Sequence, residues 1–157
     1  MTDDPPRLAS DFTDPDESPG LLLWQVTNRW QAAQRAALRP HGLTHVQFVL
    51  LASLSWFQAD GPVTQKHLAD HAATDPMMTS QVLRALESRG LVHRLPHPTD
   101  RRARALAATD EGRALADRAV ASVEACDRDF FAVLGDGADA FTAALRSLRN
   151  GPGPVGG

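Results

Sequence analysis

Behind Thr74-Asp75-Pro76 comes a run of side chains that seldom share one helix face: Met77, Met78, Ser80, Gln81 and Arg84, with Thr79 among them. Thioethers, a hydroxyl, an amide and a guanidinium suit a surface that is flat and chemically mixed. The edges of base pairs in a DNA groove, with their donors, acceptors and thymine methyls, are such a surface. The charge that follows agrees. From Arg84 to Arg104 there are six arginines against Glu87 and Asp100, a local +4 in a chain whose net charge is −3. A concentrated basic run of that kind is the electrostatic footprint of phosphate binding.

These groups need elements to hold them. Asp75 can cap a helix whose first residue is Pro76, where the missing N–H costs nothing. Val82, Leu83 and Leu86 mark its apolar face, and Gly90 is a natural stop. Leu91–Leu95 and Ala103–Ala107 then read as two strands around the turn-rich loop Pro96-His97-Pro98-Thr99-Asp100. The short helix begun by Val63-Thr64, with Leu68, Ala69 and Ala72 inward, precedes the Thr74-Asp75 turn. Together these predict a helix-turn-helix followed by a β-hairpin. The bland reading of the hairpin tip is a polar loop in which Asp100 and Arg102 form a surface ion pair of little worth.

The order of capped helix, Gly90-Leu91-Val92, strand, Asp100-x-Arg102 and Thr109-x-x-Gly112 closely resembles the wing signature of the MarR family of bacterial winged-helix transcription regulators. The resemblance runs over roughly residues 20–149. It implies a mostly α, winged helix-turn-helix fold of about six helices plus a two-stranded β-wing, in an intertwined homodimer on double-stranded DNA. It implies major-groove contacts at Met77, Met78, Thr79, Ser80, Gln81 and Arg84. Asp100 would orient Arg102 into a narrow minor groove, and Arg94, Arg101 and Arg104 would meet phosphates. The usual family outcome is repression, relieved by a small ligand. A two-fold dimer implies a pseudo-palindromic operator.

The remaining chain supports an assembly of this type. Leu21 to Leu38 is helical, with Leu22, Val26, Trp30, Ala33 and Ala37 at helical spacing and an apolar start that another chain would bury. Thr44-His45-Val46-Gln47 is a capping box opening a helix to about Phe57, with Val46, Val49, Leu50, Leu54 and Phe57 inward. Thr109 caps the longest helix, which carries Leu115, Ala119, Val123, Cys126, Phe130 and Val133 on one stripe until Gly135-Asp136-Gly137. Ala138, Phe141, Leu145 and Leu148 form a last amphipathic helix. Those stripes exceed what a small core covers, which predicts a homodimer.

Residues 1–19 hold six acids and one arginine without periodicity and read as a flexible acidic tail. Residues 150–157 read as a disordered tail. No apolar run approaches bilayer length, no signal-peptide pattern is present and there is one cysteine, so the expected location is cytoplasmic, on the nucleoid, with no membrane partner. No nucleophile–base pair, phosphate loop or carboxylate dyad stands at a productive spacing, so the chain is not expected to be an enzyme, and no cofactor is implied. His67 and His71 lie i,i+4, a zinc-compatible spacing, but no third ligand stands out and no metal site is expected. Cys126 reads as a small buried hydrophobe. The resemblance also implies a cleft for a small aromatic or phenolic effector, with Trp24 and His45 as its candidate walls and Trp30 and Phe48 as core. Two rival readings are a dimeric ligand or metal sensor acting through protein contacts, and a non-specific architectural DNA binder. Salt-dependent DNA binding separates the first from a regulator, and the specificity ratio separates the second.

Overall fold

The computed structural model describes residues 8–151. Its elements are α1 (Pro19–Leu38), α2 (His45–Phe57), α3 (Gln65–Ala72), α4 (Pro76–Ser88), β1 (Val92–Pro96), β2 (Arg104–Ala108), α5 (Asp110–Phe131) and α6 (Ala138–Arg149). The two strands pair antiparallel, from Val92 opposite Ala108 to Pro96 opposite Arg104. This is the mostly helical winged arrangement expected from the sequence.

Local chemistry explains the helix starts. Asp75 accepts from Met78 N at 2.9 Å. The Thr44–Gln47 capping box is closed in both directions, and the Thr64 hydroxyl accepts from His67 N at 3.2 Å. The Thr109 hydroxyl accepts from Gly112 N at 3.0 Å. Each side chain satisfies an N–H that the helix itself leaves unpaired.

The end of α4 shifts the hairpin by one residue from its expected position. Gly90 is left-handed (φ 72°). Its N–H goes to Glu87 O, and Leu91 N–H goes to Leu86 O at 3.0 Å. This pair of bonds is a Schellman closure. It uses the Leu91 N–H, so β1 starts at Val92. The hairpin has a further neighbour that no sequence pattern indicated. Val63 bridges to Leu106, accepting its N–H at 2.7 Å, which joins the entry of α3 to the wing.

One core threads the whole chain. It takes Leu38 from α1, Phe48, Leu50, Leu51 and Leu54 from α2, Leu68 from α3, Leu83 and Leu86 from α4, and Leu115, Ala119 and Val123 from α5. The inner face of α2 is therefore centred on Phe48, Leu51 and Leu54, while Val46, Val49 and Phe57 pack at its margin. Gly112 lets α5 reach this core. A Cβ there would overlap the Leu91 carbonyl oxygen and lie 3.0 Å from its carbon.

Two expectations are corrected at the ends. The tail assigned to residues 1–19 is shorter, because Asp14 caps a 3-10 turn over Pro15–Glu17 and Ser18 caps α1, which starts at Pro19. Residues 1–7 of that tail, and 152–157 of the other, lie outside the described residues. Val133 does not continue the α5 stripe. The α-helix ends at Phe131, a 3-10 turn follows, and Gly135 breaks it with φ 50° and ψ −127°. Val133 is exposed.

Much apolar surface stays uncovered in the single chain. Leu21, Leu22, Leu23 and Val26 of α1 and Leu145 and Leu148 of α6 are exposed. No helix among the described residues is long and apolar enough to cross a membrane.

Candidate nucleic-acid interface

The exposed face of α4 carries Met77, Met78, Gln81 and Arg84. Met77 is 72 % exposed and Met78 43 %, unusual values for the only two methionines beyond Met1. Arg84 folds along the helix, donating through a terminal nitrogen to Ser80 Oγ at 2.8 Å. Thr79 requires a correction. It is fully buried, with its hydroxyl donating to Asp75 O at 2.8 Å and 2.7 Å from the Thr74 hydroxyl. On α4 it shares the inner stripe with Leu83 and Leu86, so it secures the turn between α3 and α4 and cannot reach DNA.

The wing is held from its tip. Asp100 Oδ1 accepts the backbone N–H of Arg102 at 2.9 Å. His97 Nδ1 accepts the backbone N–H groups of Thr99 at 3.3 Å and Asp100 at 3.1 Å. Asp100 thus shapes the backbone that carries Arg102 rather than gripping its guanidinium, a local aspartate turn. Arg101, Arg102 and Arg104 are exposed. His97's role is not legible in the sequence, since a side chain accepting from residues two and three ahead leaves no periodic trace.

The other arginines of the basic run are engaged inside the protein. Arg94 Nε lies 3.2 Å from Glu87 Oε2, linking β1 to α4. It was expected at phosphate, and in the free chain its charge is offset by this partner. Arg89, at the C-terminal cap of α4, donates to the Gly42 carbonyl at 2.8 Å and to Gln47 Oε1 at 3.4 Å. It fastens the end of α4 to the entry of α2.

A second polar cluster lies where α1, α2 and α5 meet. Asp127 Oδ1 accepts from Trp30 Nε1 at 2.8 Å and from Gln34 Nε2 at 2.6 Å. Gln34 is fully buried, and its Oε1 has no partner among the described residues. The Trp30 ring meets His45 edge-on, with centroids 5.0 Å apart. Of the two candidate effector walls, His45 is half-buried here. Trp24 lies two turns up α1, 68 % exposed, and the aromatic against His45 is Trp30, which was expected to be plain core. Phe48 is core. The contact between α1 and Asp127 spans 97 residues, beyond the reach of any local pattern.

Burial lowers the His45 pKa; Asp127 opposes this and Arg35 adds to it. The unfolded chain therefore takes up this proton more readily than the folded one. The stability tied to neutral His45 is present above the free value of 6.5 and is lost as pH falls below it. His45→Gln should melt with a weaker pH dependence between about pH 7.5 and about pH 5.5 than the parent. Parallel melting curves for the two proteins would discard this account.

Cys126 is half-buried. Burial pushes its thiol up, and Asp127 and Asp129 push the same way, so it is a poor nucleophile at neutral pH. His67 and His71 flank the Phe57 ring at 4.9 and 4.7 Å. No group of three or more metal-ligating side chains occurs among the described residues.

Comparison with known proteins adds independent support. Residues 43–103 match the model of the MarR family. An HTH-type transcriptional regulator of Bacillus subtilis, YdcH, is 45 % identical over 78 % of this chain and 84 % of its own length. CouR of Rhodococcus jostii, solved with p-coumaroyl-CoA, superposes with a TM-score of 0.80 at 32 % identity, covering 90 % of this chain and 99 % of that one. CouR has also been solved on a 23-mer DNA duplex, with a TM-score of 0.79. The Mycobacterium tuberculosis repressor Rv2887, 41 % identical over 71 % of this chain and 79 % of its own, has been solved with p-aminosalicylic acid. Capped α4, Asp100-shaped wing and these relatives converge: the chain belongs to the MarR family of winged helix-turn-helix transcription regulators.

Proposed function

We propose that this regulator is a homodimeric, ligand-responsive repressor, with residues 20–149 as its DNA-binding and dimerisation domain. α4 lies in the major groove and the wing along the flanking minor groove. The observation that carries this reading is which groups are left free. Thr79, Arg89 and Arg94 are tied internally, while Met77, Met78, Gln81, Arg101, Arg102 and Arg104 stay exposed on the helix and the wing tip. Ser80 and Arg84, held to each other, border that face. The protein acts on the nucleoid through this surface, without catalysis.

The dimer reading rests on the bare apolar surface of α1 and α6. A cleft of about 200 Å³ between them is lined by Leu23, Val26, Trp30, Phe131, Phe141 and Leu145. Sedimentation at micromolar concentration should give a dimer, and Leu145→Asp should weaken assembly and folding together, since an unpaired carboxylate would have to be buried. A folded monomer in the parent protein would end this reading.

The effector reading rests on His45, Trp30 and the unpaired Gln34 Oε1 beside Asp127, with Trp24 a wall only if a partner chain brings it there. CouR and Rv2887 were solved with an aromatic thioester and an aromatic acid, and the effector proposed for this cluster of aromatic and polar side chains is a small aromatic acid or phenol. The experiment is a footprint on DNA flanking the protein's own gene, repeated with p-aminosalicylate. Protection of a pseudo-palindrome with half-sites roughly 10 bp apart, lost with the ligand, is expected. Protection of a lone asymmetric half-site would contradict the two-fold reading.

A further inference from the structure

The leading end of α4 has an unusual chemical balance. In a helix-turn-helix the N-terminal residues of the second helix contact the base edges. In this chain that turn has lost most of its polar equipment to internal bonds. The Asp75 carboxylate caps Met78 N at 2.9 Å. The Thr79 hydroxyl is buried against Asp75 O and Thr74. Ser80 Oγ receives Arg84 at 2.8 Å, and Arg84 Nε leans on Ser80 O at 3.4 Å. What projects freely is two thioethers, followed one turn on by the Gln81 amide.

The base edges of the major groove offer donors and acceptors to every polar reader, but only one apolar group, the C5 methyl of thymine. Methionine is suited to it. Its side chain is unbranched, with three rotatable bonds and a polarisable sulfur, and settles over an irregular apolar surface. Gln81, four residues after Met77, can pair with adenine N6 and N7. An A·T pair presents both partners, a methyl on one strand and the adenine edge on the other. Guanine would be read by a bidentate arginine, and the arginine nearest this end is held to Ser80.

We propose that Met77 and Met78 make α4 a reader of thymine methyl groups, so that operator half-sites carry thymine beneath the two thioethers. This rests on the DNA-binding reading above, and the test is built to separate the two.

Duplexes are selected from random DNA with the full chain, and each thymidine of the recovered site is replaced in turn by deoxyuridine. That change deletes one methyl and leaves every hydrogen-bonding group in place. At the positions under Met77 or Met78, binding should weaken about fourfold for each methyl lost, the value of one buried methylene-sized group. Symmetric replacement in both half-sites should give about fifteenfold. The slope of log K against log salt should not change, because no charge is involved. Met77→Ala and Met78→Ala, at exposed positions, should bind more weakly and become indifferent to uridine at the matching position. If the parent protein binds the selected duplex with strong salt dependence yet tolerates uridine everywhere, the methyl-reading proposal is overturned and DNA binding stands. If no duplex is bound in a salt-dependent way, the underlying reading falls and takes the proposal with it.

Discussion

Gly112→Ala should destabilise the protein strongly for a change of a single methyl group. The added Cβ would overlap the Leu91 carbonyl oxygen and lie 3.0 Å from its carbon and 3.3 Å from its Cα. These are backbone atoms of a residue only 3 % exposed, so no side chain can swing aside. Leu91 is fixed on both sides, its N–H bonded to Leu86 O and its carbonyl receiving Thr109 N, each at 3.0 Å. Relief requires the start of α5 to back away from the wing and from the Leu115–Ala119 core. Overpacking of this kind costs about 3 kcal/mol, against a gain of at most about 1 kcal/mol from placing alanine in a helix. For a chain of this length the melting midpoint should drop by roughly 4–8 °C. Gly137→Ala is the control: nothing lies within 4 Å of a Cβ there, and its melting point should hold or rise. Equal melting of the two variants would show that the α5–wing contact is soft.

Asp100→Ala should weaken DNA binding although it makes the wing more positive. Simple electrostatics says the opposite, since an acid beside Arg101 and Arg102 repels phosphate. The structure gives Asp100 a different task. Its Oδ1 takes the Arg102 N–H at 2.9 Å, setting the turn from which Arg102 projects. Without that bond the tip would sample other turns, and a guanidinium reaching into the minor groove would first have to order its own backbone. Asp100→Asn keeps an acceptor oxygen and should bind at least as well as the parent. Arg104→Ala would remove a proposed phosphate contact outright. Each lost phosphate neutralisation lowers the slope of log K against log salt by about 0.9, so a dimer should lose about 2. Tighter binding by Asp100→Ala at every salt concentration would reduce the Asp-x-Arg pair to an ordinary surface loop.

What the sequence revealed was mainly local. Caps at Thr44, Thr64, Asp75 and Thr109 depend on residues two to four apart, and all are closed in the structure. The hairpin was legible from its two runs around a turn, and its one-residue error came from a helix closure that claimed Leu91. Thr79 stood among the DNA-facing residues only through the family resemblance, although its spacing to Leu83 and Leu86 puts it on the inner stripe. Counting arginines marked residues 84–104 as a basic run. It could not tell that Arg89 is held by Gly42, 47 residues away, or that Arg94 answers Glu87. The cluster around Asp127 was invisible for the same reason: its members meet only after α1 has packed on α5.

Only Thr109 separates the last residue of β2 from the first of α5. That residue is bonded on both sides, its N–H to Leu91 O and its hydroxyl to Gly90 O at 2.7 Å. The joint therefore has no slack, and hairpin and helix move as one body. With 22 residues, α5 is a lever about 33 Å long, and a tilt of about 5° at one end displaces the other by about 3 Å. Its far half carries Asp127, which holds Trp30 and Gln34, so a tilt of α5 imposed at that contact would change the angle of the wing. Distance would then be crossed by leverage, and a flexible linker inserted between Thr109 and β2 would disconnect the two ends while leaving every native side chain in the sequence.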